Sequence, residues 1–227
     1  TVAEAMHASV ELLEYQPAAI EHIDRVLFDQ TRGQLAFRRA RALLELDDKP
    51  CESILLVEFF DDVDAPIDAL MRRRTGLRSR AFTDTGEMDA IWNLRKAGLS
   101  LLTGCIGATK PVAGIEDACV PVRHLPEYVA GLQALMESLG LHGSFYGHAA
   151  SGLLHVRPVV DLHSEEDLAK FRRVGDEVSA LVKQFKGSIA GEHGVGIART
   201  EFLEDQLGPE LMVLALPWPL GLAQPLR

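Results

Sequence analysis

Apolar positions recur at helical spacing over the first fifty residues. Val10, Leu13, Ile20, Ile23, Val26 and Leu27 carry this spacing, and Pro17 is placed to open a second helix. The run Glu52–Phe60, ESILLVEFF, is continuously apolar between acidic ends and predicts a buried strand. A helix is predicted over Asp64–Leu77, its basic Arg72-Arg73-Arg74 suited to a helix C-terminus. A further helix spans EMDAIWNLRKAGLSLL, with Ile91, Leu94 and Leu101 near one face. Ile115–Val122 reads as a strand stopped by Pro121, and Pro126 then opens a helix that Gly140 ends. GSFYGH and LLHVRPVV predict two strands around a turn at Ala149–Gly152. Ser164 caps a helix with Leu168, Phe171, Val174, Val178, Leu181 and Phe185 on its apolar face, ended by Gly187. SIAGEHGVGIA predicts a last strand and turn.

Strand, helix, strand, strand, helix, strand is the ferredoxin-like split order. The expected fold is therefore α+β, an antiparallel sheet with helices on one face. The chain of 227 residues is long enough for a sizeable core, and its 47% hydrophobic and 25% charged residues are ordinary for a globular protein. A net charge of −10 argues against nucleic acid as partner. No apolar run reaches the length of a membrane span, and the acidic amphipathic start lacks the layout of a signal peptide. Cys51, Cys105 and Cys119 are too few and too scattered for a disulfide framework, which points to a reducing cytoplasm.

The candidate chemistry lies in two stretches, GHAASGLLHVRP (Gly147–Pro158) and GEHGVG (Gly191–Gly196). His148 and His155 are seven apart, an odd separation that would send them to opposite faces of one straight strand. A turn at Ala149–Gly152 lets them converge, and its small residues leave room for an ion. Two imidazoles need a third ligand, and Glu192, between glycines that allow close backbone approach, is the candidate. Two His and one Glu with open positions suit a divalent Zn, Mn or Fe that also takes substrate oxygens. His193 points away from its neighbour Glu192 on an extended chain. It is either a general base beside the metal or an outer hydrogen-bonding group, and spacing leaves both open. The bland alternative is that these histidines are satisfied core or turn residues. Two of them in a small-residue turn, with Glu-His in a glycine cluster, weigh against it.

Together with IEDACVP and WNLRKAGLSLL, and in this order, these stretches resemble the C-terminal substrate or cap domain of the FAD-linked oxidases. This is the family of D-lactate dehydrogenase, glycolate oxidase and D-2-hydroxyglutarate dehydrogenase. KPVAGIED and HVRP are most similar to its bacterial branch, in which the flavoprotein is often fused to an iron–sulfur segment. The resemblance runs from about Val2 to Met212. It implies FAD-dependent oxidation of a D-2-hydroxy acid, with His148, His155 and Glu192 holding a divalent metal and His193 as the base. Arg95, from the W-x-x-R helix, is implied as a contact to the substrate carboxylate, and Lys110 as a second substrate contact. The electron acceptor would be an iron–sulfur segment or a separate iron–sulfur protein. A homo-oligomer is compatible with this, as is a cytoplasmic enzyme held peripherally at the inner membrane by its partners.

Two features depart from the family. The glycine-rich FAD-binding half does not occur in these 227 residues, so this chain is expected to bind no FAD tightly and to be inactive in isolation. After Met212 the sequence runs VLALPWPLGLAQPLR in place of the family's flavin-contacting end, and residues 213–227 are expected to form an atypical tail. Two other function classes compete on the residues alone: a free-standing metal-dependent hydrolase using the same four residues, and a non-catalytic metal-binding interaction module.

Overall fold

A computed structural model describes residues 1–215. Five strands, β1 (Ala19–Asp24), β2 (Ser53–Glu58), β3 (Thr109–Pro111), β4 (Gly143–His148) and β5 (Leu153–Asp161), form one sheet in the order β2-β1-β4-β5-β3. Every pairing is antiparallel. The principal helices are α1 (Val2–Leu12), α2 (Arg25–Asp29), α3 (Arg38–Leu43), α4 (Asp64–Arg73), α5 (Thr85–Lys96), α6 (Gly98–Thr103), α7 (Leu125–Ser138) and α8 (Glu165–Gln184). The fold is thus α+β with an antiparallel sheet, but helices pack on both of its faces and not on one as expected.

Strand alternation sorts the side chains into two cores. Ile20, Phe145, Leu154 and Val156 face α1, α7 and α8, where Met6, Leu12, Tyr128, Leu132, Val174 and Val178 complete the larger core. Ile23 and Tyr146 point the other way and pack with Leu27, Phe28, Ala40, Leu94 and Leu102 of α2, α3, α5 and α6. Ser164 caps α8 by accepting from the Asp167 N–H, while the Asp167 carboxylate accepts from the Asp161 N–H, which ties the end of β5 to the start of the helix. Leu168 of the expected apolar face is exposed, and Val182 is buried in the core instead.

Three expected elements differ. Residues Ala19–Asp24, expected as part of a second helix, form the strand β1. Gln16 adopts a left-handed conformation that ends the preceding turn, and β1 is paired on both edges by β2 and β4 and buried on both faces. Burial on both faces removes the alternation that announces a strand. Ile115–Val122 and Ser188–Ala198 are not strands. Only isolated bridges remain, from Cys119 of the first segment to Leu153 and to Ser188 of the second. The second segment is a loop leading into the short helix Gly196–Arg199. The last described helix, Pro209–Ala215, extends past Met212 into the expected tail. Pro217, Pro219, Pro225 and the rest of that tail lie outside the described residues. No described helix is long and apolar enough to cross a membrane.

Candidate metal and substrate site

The antiparallel register brings the two histidines together. Across β4 and β5, His148 pairs with Leu153 and Tyr146 with His155, so His148 and His155 share one face although they are seven apart in sequence. A turn at Ala149–Ser151 followed by Gly152 reverses the chain between them. Gly152 is left-handed, and a Cβ on it would collide with the Val120 carbonyl oxygen, so only glycine fits. The imidazoles meet edge to face with centroids 5.4 Å apart.

Glu192 reaches them from the loop after α8. Its Oε1 lies 3.3 Å from His148 Nε2 and its Oε2 4.0 Å from His155 Nε2. The three ligand atoms lie within 4.8 Å of one another. The loop is held by Asp117, whose fully buried carboxylate accepts the backbone N–H groups of Gly191, Glu192 and His193 at 2.9 Å. Arg199 closes the loop, donating to the Gly194 carbonyl at 2.6 Å and pairing with Glu116 at 3.1 Å. Gly191 gives the Leu153 side chain room to pack against the loop; a Cβ would strike it.

Each histidine is aimed by a partner on its far nitrogen. His155 Nδ1 donates to the Glu116 carbonyl at 2.9 Å, which leaves the Nε2 lone pair toward Glu192. His148 Nδ1 meets Glu21 Oε1 at 2.7 Å, which leaves its Nε2 toward the Glu192 carboxylate. This donor set fits a divalent ion: two ring nitrogens with second partners in place, and one carboxylate. The hydrogen bond to Glu21 raises the His148 pKa, whereas burial lowers that of His155. Burial would push Glu116 up, but the N–H groups of Gly114 and of Glu116 itself, with Arg199, outweigh it and hold that carboxyl at about 2.

His193 stacks on His155 with centroids 5.2 Å apart and rings 6° from parallel. Its Nδ1 lies 3.4 Å from Glu116 Oε1. It stands beside the three-residue cluster without belonging to it, although Asp117, His155 and His193 form a second, overlapping group within the same reach.

Arg95 arrives from the end of α5. Gly98, whose Cβ would strike Leu27 and crowd Tyr146, lets the following turn pack closely on the sheet. The Arg95 guanidinium lies 5.3 Å over the Tyr146 ring and donates from Nε to Glu21 Oε2 at 2.9 Å. Its Nη2 is 2.6 Å from the same oxygen but outside hydrogen-bonding geometry, so that buried donor has no hydrogen-bond partner among the described residues. Lys110 is not brought to this cluster. It is exposed on β3 opposite Val160, five residues along β5 from His155, roughly 16 Å away and on the other face of a regular strand.

Sequence reasoning did not single out Glu21, Glu116, Asp117, Arg157 or Arg199. Glu21 lies in a segment whose spacing reads as helical, whereas the adjacent acids of IEDACVP could have been suspected as partners for the loop glycines. Arg157 follows His155 by two residues on the same strand face, is 5% exposed, and its side chain makes no hydrogen bond or ion pair among the described residues.

The chain belongs to a known class. Residues 1–215 match the family "FAD linked oxidases, C-terminal domain", and the chain belongs to that family. It is 31% identical over 199 residues to the D-2-hydroxyglutarate dehydrogenase of Pantoea ananatis, covering 82% of this chain and 20% of that protein. Its identity to the D-2-hydroxyglutarate dehydrogenase of Escherichia coli is 30% over 214 residues, 88% of this chain and 21% of the relative. With the glycolate oxidase subunit GlcD of Bacillus subtilis it shares 25% over 198 residues, 86% of this chain and 40% of the relative. The chain thus spans about a fifth of the length of the D-2-hydroxyglutarate dehydrogenases it matches.

Proposed function

We propose that this chain is the substrate-binding part of a flavin-dependent dehydrogenase that oxidises a D-2-hydroxy acid to the 2-oxo acid, with a divalent ion held by His148, His155 and Glu192. The observation that carries the reading is the convergence of these three ligand atoms within 4.8 Å, in a member of a flavin-linked oxidase family. A bound divalent ion would supply Lewis acidity toward the acid's carboxylate and hydroxyl oxygens and lower the hydroxyl pKa. A bound flavin would supply the acceptor for the hydride from C2.

The protein's own groups do the rest. His193 takes the hydroxyl proton at Nε2, the nitrogen turned away from Glu116, and its imidazolium is then stabilised by the Glu116 carboxylate. Arg95, whose Nη2 is ion-paired with Glu21 but makes no hydrogen bond, donates from that nitrogen to the substrate carboxylate, and Tyr146 beneath the guanidinium keeps it in place. Lys110 enters this reading as a substrate contact only if another part of the protein closes over β3. Family membership favours the oxidoreductase over a hydrolase or a non-catalytic metal module.

The test uses the complete flavoprotein: metal content, and flavin bleaching on addition of D-lactate, glycolate and D-2-hydroxyglutarate. Stoichiometric metal, with bleaching by at least one D-2-hydroxy acid that is abolished in His193→Ala, supports the reading. A metal-free protein that reduces its flavin at full rate sinks it.

A further inference from the structure

Glu21 connects the candidate metal cluster to the candidate carboxylate clamp. Glu21 is 7% exposed and pairs directly with His148 across β1 and β4. The two oxygens are divided: Oε1 contacts His148 Nδ1 at 2.7 Å, and Oε2 contacts Arg95 Nε at 2.9 Å and Nη2 at 2.6 Å. Glu21 is not one of the clustered ligands, because it meets the far side of the His148 ring. Glu21 and His148 are held directly opposite each other on β1 and β4, so a shift of the carboxylate toward Arg95 or away from it is felt at His148.

Building on the metal-site reading, we infer that Glu21 is a positioning residue that couples ion binding at His148 to the charge of Arg95. A carboxylate on Nδ1 fixes the tautomer and ring plane of a ligating histidine and makes Nε2 a stronger donor. The Arg95 guanidinium draws on that same carboxylate and, as a neighbouring cation, opposes added positive charge at His148. The two residues therefore act on the cluster with opposite signs. Glu21 favours the cation, and Arg95 disfavours it until an anionic substrate arrives to share the guanidinium. Substrate carboxylate on Arg95 releases Glu21 toward His148, so acid and ion bind with positive cooperativity, by linkage in both directions.

The test is Zn2+ and Mn2+ affinity of the full-length protein, by calorimetry and chelator competition, for wild type, Glu21→Ala, Glu21→Gln, Arg95→Met and His148→Ala, with thermal unfolding of each apo protein. Glu21→Ala is expected to weaken the ion about 10- to 100-fold. Glu21→Gln is expected to recover part of that loss, because the amide oxygen can still accept from Nδ1. Arg95→Met is expected to bind the ion more tightly than wild type while its apo form melts lower, since it leaves Oε2 of the buried Glu21 carboxylate without a partner. That pairing of a lower melting point with a tighter ion separates coupling from general damage. Unchanged affinity in Glu21→Ala, or weakened affinity in Arg95→Met, overturns the inference and leaves the metal site standing. A wild type no tighter than His148→Ala overturns the metal site itself, and the coupling with it.

Discussion

Asp117 holds Glu192 by its backbone, not its side chain: the buried carboxylate accepts the Glu192 N–H at 2.9 Å, with the N–H groups of Gly191 and His193 on the same two oxygens. One charged acceptor thereby fixes the segment that carries both a candidate ligand and the candidate base. Asp117→Asn keeps the shape, but replaces one acceptor with an NH2 group that faces backbone donors. We expect it to cost roughly 2–4 kcal/mol of stability and to lose ion affinity and turnover together. Denaturant unfolding with metal analysis checks this; a fully stable variant with normal metal content contradicts it.

The four candidate side chains make separable demands. His148→Ala or Glu192→Ala should lose the ion and turnover. His193→Ala should keep the ion and lower mainly kcat, by about 10²- to 10⁴-fold for a lost general base. Arg95→Ala should chiefly raise KM. Steady-state kinetics beside metal content distinguishes these outcomes, and a metal-free His193→Ala would refute the separation.

Gly152→Ala tests the turn that joins the histidines. The added Cβ meets the Val120 carbonyl oxygen in a conformation that L side chains rarely adopt. The turn must open, and the register that aligns His148 with His155 must shift. The expected result is a loss of roughly 3 kcal/mol or more with loss of the ion. Gly140→Ala, also left-handed but with nothing near its Cβ, should cost roughly 1 kcal/mol and keep the ion. Equal damage in the two variants would show that backbone strain alone, not the contact with Val120, governs the turn.

Two buried groups on β1 pull the pH dependence of stability in opposite directions. Burial holds His22 at about 3, below its ordinary 6.5, so between those values only the unfolded state carries the proton and stability falls as pH drops. Burial raises Asp24 from 3.8 to about 6 despite the N–H groups of Phe145 and Leu27 and the Ser144 hydroxyl, so here the folded state carries the extra proton and stability falls as pH rises. Between about pH 4 and 6 the two contributions offset. In His22→Gln only the Asp24 contribution remains, and relative to wild type the variant should lose up to about 1.4 kcal/mol per pH unit as pH rises from 4 to 6. Parallel stability–pH curves for the two proteins would refute this.

The Arg157 side chain, buried at Nε, makes no hydrogen bond or ion pair among the described residues and lies one side-chain step along β5 from His155. Such a charge is expensive unless an anion meets it. Arg157→Met should raise KM for a hydroxy acid with a second carboxylate more than for one without. Comparing D-2-hydroxyglutarate with D-lactate reads the difference, and equal changes for both would remove Arg157 from substrate recognition.

Local sequence determined much of the fold and the membership of the cluster. The capped helix after Ser164, the Pro126–Gly140 helix and the strand pair around Ala149–Gly152 were legible because each carries its own stop and start chemistry. The residues of the cluster were legible too, because His and Glu amid glycines have few structural uses. Tertiary structure decided what those residues face. Ala19–Asp24 looks helical until β2 and β4 claim both its edges, and only then does Glu21 stand opposite His148. IEDACVP looks like a strand, yet its acids turn inward to hold the Glu192 loop and pair with Arg199. Lys110 is close to the motifs in sequence and far from the cluster in space, because β3 joins the opposite end of β5. A chain encodes local conformation in its periodicity and caps, but which buried charge meets which depends on strand order and register, set by contacts more than a hundred residues apart, such as Glu21 with His148.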